Sequence, residues 1–172
     1  MLERLFSFPN PVNEVSARLV AGFVVVLCLA TITLDLPWMT AVIAYGFLAR
    51  VLTGPTLSPV GQFVTRVVTP ALGLPEKLVA GPPKRFAQGI GAVLSVSAAV
   101  LALGFGAVGA AYVLLAFIVV AATLESVFGF CLGCTIFAAL MRVGVIPSEV
   151  CERCDDIWSR GAGAPQALDS VA

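Results

Sequence analysis

The sequence predicts an all-α membrane protein with four transmembrane helices and both termini cytoplasmic. A short amphipathic interfacial helix in the middle loop and a C-terminal amphipathic helix complete it. Three observations lead there. Hydrophobic residues make up 59% of the 172 residues and charged residues only 12%, whereas soluble domains run near a quarter charged. Four apolar segments approach the roughly 20 residues that carry a helix across about 30 Å of hydrocarbon. Helices suit them because lipid offers the backbone no hydrogen bonds. Finally, all ten Lys and Arg fall on one side of a four-span arrangement, which the positive-inside rule makes cytoplasmic.

Residues 1–160 read as a single membrane domain, and 161–172 as a disordered tail of small residues. The opening FSFPNPVNE pairs interfacial Phe6 and Phe8 with prolines that forbid a regular helix, and reads as a cap on the membrane surface. Span one covers about 17–34. No A-x-A-like cleavage site follows it and a second span starts almost at once, so it reads as retained rather than as a signal peptide. The Asp35-Leu36-Pro37 turn leads to span two, about 36–52.

The middle loop, about 53–85, is no simple linker. In SPVGQFVTRVV, Ser58 suits an N-cap and Pro59 a first helical residue. Val60, Phe63, Val64 and Val67 then line one face of an interfacial helix. GPPKRF stops the chain and places Lys84 and Arg85 at the mouth of span three, as an anion site or as interface anchors that fix topology. Span three, about 86–105, carries Gly91, Ser95 and Ala99 at four-residue spacing, which lets another helix approach closely. Span four, about 108–142, exceeds one crossing. Tyr112 to Met141 would make roughly 45 Å of helix, so it either tilts and protrudes or breaks at Gly129 and restarts.

Ten positive charges balance ten negative ones and there is no histidine. The balance offers no field for a nucleic acid. The missing imidazole removes His-based acid/base catalysis and leaves thiolates as the ligands for any metal. Chemistry therefore concentrates in two C-x-x-C pairs, Cys131/Cys134 and Cys151/Cys154. The first lies at the inner end of span four. A helix starting near Gly129 would aim its N-terminal dipole at Cys131 and favour the thiolate. The second lies on a helix of about 148–160, capped by Ser148. There Val150, Cys151, Cys154, Ile157 and Trp158 form one stripe that turns toward the bundle or the membrane surface.

Both pairs thus come to one side of the bilayer, which permits exchange between them and makes Cys131, Cys134, Cys151 and Cys154 candidate catalytic residues. Glu125, deep in an apolar span, is a candidate proton carrier for that chemistry or a buried partner for Lys84 or Arg85. The same four cysteines also match the spacing of a four-thiolate zinc site, which would make the protein a non-enzymatic scaffold. A small transporter for a sulfur compound is a third reading, served by few polar span residues: Ser95, Ser97, Thr123, Glu125 and Ser126. Cys28 reads as a small apolar filler.

FPNPVNE, GPTLSPVGQF, GPPKRFAQGIG and LESVFGFCLGC followed by a late C-x-x-C together resemble the bacterial membrane-protein family known as domain of unknown function 4395. The resemblance covers roughly 8–154. It implies an actinobacterial-type protein of the inner (plasma) membrane, with a thioredoxin-like protein or a rhodanese-type sulfurtransferase as partner. It assigns no catalytic residues. The layout is also similar to that of quinone-linked membrane thiol oxidoreductases, which work on the outer face, whereas the charge distribution here favours the inner one. The function expected is a thiol-disulfide or persulfide relay, with the bilayer as the other partner.

Overall fold

The structure, a computed structural model, describes residues 11–146 apart from Leu74 and Glu76. The N-terminal cap up to Asn10, the helix expected at 148–160 with Cys151 and Cys154, and the tail at 161–172 lie outside the described residues.

A two-residue strand β1 (Val12–Asn13) leads into α1 (Glu14–Thr33). Then follow α2 (Met39–Thr53), α3 (Pro59–Phe63), a π-helical stretch (Val64–Val68) and α4 (Thr69–Leu72). Strand β2 (Leu78–Val79) pairs antiparallel with β1, Val12 opposite Val79. After it come α5 (Gly81–Ala99, prolonged by a π turn to Gly104), α6 (Val108–Phe128) and α7 (Leu132–Arg142).

Among the described residues three helices are long and apolar enough to cross a membrane: Glu14–Thr33, Gly81–Gly104 and Val108–Phe128. Helices α2 and α7, of 15 and 11 residues, are apolar but shorter. Their packing is pairwise: α1 on α6, α2 on α5, α5 on α6, with α7 against α5. The core they share is built largely from small residues, among them Cys28, Ala98, Ala102 and Ala111, around Leu115 and Ile118. Such residues let helix backbones approach. At Gly91 the approach is extreme, since a Cβ there would lie 2.2 Å from the Phe47 ring. Of the small stripe expected on α5, Gly91 and Ser95 are buried, but the line continues through Ala98 and Ala102 rather than Ala99.

Several boundaries differ from expectation. Helix α1 begins at Glu14, not 17, because Asn13 Oδ1 accepts the Val15 N–H at 3.0 Å and caps it. The earlier start puts Arg18 in the second turn of the helix. Helix α5 starts at Gly81, five residues before 86. Pro82 and Pro83 do not stop the chain but form the first helical turn, where a missing N–H costs nothing. Of the two courses open to the segment 108–142, the chain takes the break: Gly129, at φ 68°, ends α6 in the left-handed region.

The middle loop does start a helix at Ser58, whose Oγ accepts the Gly61 N–H at 3.2 Å. Its buried side is Gly61, Val64 and Thr69, however, while Phe63 and Val67 are about half exposed. The π-helical stretch has a wider turn, so Val67 departs from the α-helical spacing the stripe assumed, whereas Phe63 precedes that stretch. Ser16 and Thr69 hydroxyls, 3.0 Å apart, hold this segment on α1. The β1–β2 pair, extended by an ion pair of 2.7 Å between Lys77 and Glu14, ties the start of α1 to the end of the loop. Two-residue strands are too short for any alternating pattern to reveal them.

Candidate dithiol site

The site is made by the break after α6. Gly129 takes the turn, and the last carbonyls of α6 are satisfied by a cation. Arg18 Nε and Nη2 donate to Ser126 O at 3.2 and 3.1 Å, and Nη2 to Val127 O at 2.9 Å. A guanidinium at a helix C-terminus suits both the orphan carbonyls and the dipole. Arg18 had counted only as a topological charge. Its reach along one face of α1 to the end of a helix more than 100 residues later has no signal in the sequence.

Cys131 is extended (φ −88°, ψ 105°) and stands as the N-cap of α7. Its Sγ accepts the Cys134 N–H at 3.4 Å, and its carbonyl accepts the Thr135 N–H at 3.1 Å. Both thiols are free, Cys131 buried and Cys134 half-buried. The Cys134 side chain bonds to the Cys131 thiol and holds it below the ordinary thiol range. The Lys84 ammonium and the Cys134 N–H act in the same sense, against burial and the Glu125 charge. The same thiol–thiol bond, with burial, pushes Cys134 up. The pair is thus asymmetric: one sulfur predisposed to the thiolate and one to the thiol.

Glu125, one turn before the break, forms an ion pair with Lys84 Nζ from the first turn of α5. The two side chains are 17% and 10% exposed, so each is costly to bury without the other. Lys84, Glu125 and Cys131 line one cavity of about 110 Å³, floored by Gly91, Ala122 and Gly133. Gly133 lets α7 lie directly on α5, since a Cβ there would sit 2.5 Å from Ala87 Cα. Phe137 anchors the same contact against Phe86, ring centroids 5.6 Å apart.

The structure therefore brings together Lys84, Glu125, Cys131 and Cys134. Arg85 is apart from them: it is exposed, and its Nε donates to Val51 O at 3.1 Å. Cys151 and Cys154 lie outside the described residues. Among the described residues no three His, Cys, Asp or Glu side chains are placed so that they could hold one metal ion. A residue that sequence reasoning passed over is Arg50, 6% exposed, with Nε on Gln88 Oε1 at 3.1 Å and its guanidinium 4.5 Å above the Phe47 ring. It belongs to the last turn of α2, within the segment expected as span two.

Fold and site together define a helical protein with bilayer-length apolar helices and a dithiol at a helix break, beside a buried ion pair. The chain belongs to the family described as Domain of unknown function (DUF4395), whose model matches residues 12–142. That match includes Cys131 and Cys134 and stops short of Cys151. No curated protein and no solved structure matches the chain.

Proposed function

We propose that the protein is a four-span membrane thiol relay whose Cys131–Cys134 pair exchanges electrons or sulfane sulfur with a cytoplasmic partner. The observation that carries this reading is Cys131 as the N-cap of α7, opening into the cavity that holds Lys84 and Glu125. A thiol at a helix N-terminus beside a cation has the microenvironment of a nucleophilic cysteine.

Four crossings follow if α2 is counted. At 15 residues it rises about 22 Å, and the turns at either end extend it toward bilayer thickness. Support comes from where the charges gather. Arg18 meets the end of α6, Arg50 meets Gln88, Lys84 meets Glu125 and Arg85 meets Val51, all at one end of the bundle. That end faces the cytoplasm of a bacterial plasma membrane under the positive-inside rule.

In the exchange, the Cys131 thiolate attacks one sulfur of a disulfide, on Cys151–Cys154 or on the partner, and a mixed disulfide forms. Cys134 then gives up its proton, and its sulfur attacks Cys131. The outgoing thiol leaves, and Cys131–Cys134 becomes the disulfide. Two electrons have passed to the former disulfide; of the two protons its sulfurs take up, one is the proton given up by Cys134 and the other comes from water. Glu125, in electrostatic reach of both thiols and balanced by Lys84, is the acceptor at hand for the Cys134 proton. The partner would be a thioredoxin-like or rhodanese-type protein.

Metal analysis of the purified full-length protein, paired with thiol titration before and after mild oxidation, tests this. A relay gives metal-free protein that loses the Cys131 and Cys134 thiols together, and a Cys134→Ser variant that accumulates the mixed disulfide. Stoichiometric zinc with four masked thiols would instead establish the scaffold and end the relay reading. Uptake of a sulfur compound into vesicles that survives loss of all four thiols would make the protein a transporter.

A further inference from the structure

A second cavity, of about 200 Å³, lies at the same end of the bundle, between the start of α1, the end of α2 and α3. Val12, Ala17, Val20 and Pro55 make its walls apolar, and Arg50 is set among them. Arg50 is 6% exposed, yet only its Nε has a hydrogen-bond partner among the described residues. No described carboxylate reaches it. Glu125, whose charge Arg50 feels, is bonded to Lys84. The interior of this end thus holds two buried cations, Arg50 and Lys84, while its two little-exposed carboxylates are both engaged by other partners, Glu125 by Lys84 and Glu14 by Lys77. A buried charge without a counter-charge is far costlier than an exposed one, and the aromatic face of Phe47 offsets only part of that.

The neutral groups around Arg50 are donors as well. Gln88 Oε1 is taken by Arg50 Nε, which leaves the Gln88 Nε2 to donate. Asn13 Oδ1 is taken by the Val15 N–H, which leaves the Asn13 Nδ2 to donate. Both residues line the cavity. A fork of guanidinium N–H groups with two amide donors fits an oxyanion. The remaining walls fit apolar matter. The volume is below the several hundred Å³ of a whole-ligand pocket, so it suits the anionic end of a molecule.

We propose that this cavity binds a small oxyanion, a carboxylate or phosphate-type group on an apolar body, held by Arg50, Gln88 and Asn13. The same chemistry is offered by a free organic acid or by the head of an anionic lipid. Gln88 lines both this cavity and that of the dithiol, so an occupant here sits one side chain from the Lys84–Glu125 pair. The proposal does not depend on the thiol reading.

The test is thermal stability of the full-length protein in neutral detergent, titrated separately with inorganic phosphate, hexanoate and phosphatidylglycerol. Chloride at matched ionic strength and phosphatidylcholine serve as controls. At least one probe should raise the melting temperature saturably. Its half-point should weaken by about tenfold or more in Arg50→Gln, because a hydrogen-bonded charge is lost, and severalfold in Gln88→Leu. Ala17→Leu, which narrows the cavity without touching charge, should weaken it too, and the latter two variants decide the matter if Arg50→Gln does not fold. A response to phosphatidylglycerol alone makes the occupant a lipid head, and one to phosphate or hexanoate makes it a free anion. No saturable response to any probe, or one unchanged in every variant that folds, overturns the site.

Discussion

The two ends of the helix bundle solve the same problem by opposite means. Every helix end leaves orphan backbone groups that need partners. At the Asp35 end the chain closes on itself. Leu36 N bonds to Thr31 O at 3.0 Å and Ala107 N to Leu101 O at 2.8 Å, with Asp35 and Gly106 at positive φ. One side-chain bond crosses that end, Tyr112 Oη to Asp35 Oδ1 at 2.7 Å. At the other end side chains do the work: Arg18 caps α6, Arg85 reaches Val51 O, and Lys84 holds Glu125. The comparison teaches that short turns suffice to close helices where nothing else happens. Buried cations, with their cost, are confined to the end that carries thiols and cavities.

The largest way to break that contrast is at Glu125. Glu125→Leu leaves Lys84 buried and unpaired, and should cost about 3–5 kcal/mol, read as a loss of unfolding stability in detergent. Adding Lys84→Met to Glu125→Leu should recover most of the loss, because two apolar side chains replace two charges. A double variant no better than the single one would show that the pair is not what holds this end together.

That pair also marks how far the sequence could be read. The apolar lengths and the one-sided Lys and Arg pattern speak directly of bilayer-spanning helices, because hydropathy and charge are additive along a segment. Glu125 pointed to Lys84 or Arg85 as its partner, since a carboxylate within an apolar helix must find a cation, and the choice between the two was not legible. The excess length of 108–142 left two courses, a tilted helix or a break at Gly129, and the choice fell to a glycine that takes the left-handed turn freely. Arg18, Arg50 and the β1–β2 pair were not legible. Each depends on which helix faces which, and a stripe of apolar residues nearly all the way round α1 or α6 does not say. The dithiol itself was evident, whereas its capping geometry needed the break to be placed to the residue.

A smaller effect sharpens the comparison at α7. Gly133→Ala sets a methyl 2.5 Å from Ala87 Cα, and backbone cannot step aside as a side-chain tip can. The overpacking should cost about 1–3 kcal/mol and be felt locally. Undocking of α7 then shows as faster alkylation of Cys134, followed by peptide mapping, with the far end unaffected. Alkylation also tests the asymmetry of the thiols. Cys131 is held low, so its reaction should reach half rate at a pH below the roughly 8.5 of a free thiol. Its first cause is the Cys134 bond, so Cys134→Ala should move that midpoint up, and Lys84→Met should move it up by less. A midpoint that stays put in both variants would mean the thiolate owes nothing to either neighbour.

The smallest effect belongs to the opposite end. Tyr112→Phe deletes the hydroxyl that bonds Asp35, but Asp35 is at an exposed tip where water replaces the lost donor. The melting temperature in detergent should be unchanged within error, and so should the alkylation rate of Cys131 at the far end. The contrast with Glu125→Leu is the informative quantity, since both remove one polar side-chain contact between distant parts of the chain. They differ in burial and in whether a charge is left unpaired. If Tyr112→Phe proved as damaging as loss of the ion pair, the Asp35 turn would be a structural clasp in its own right, and the division into a plain end and a chemical end would fail.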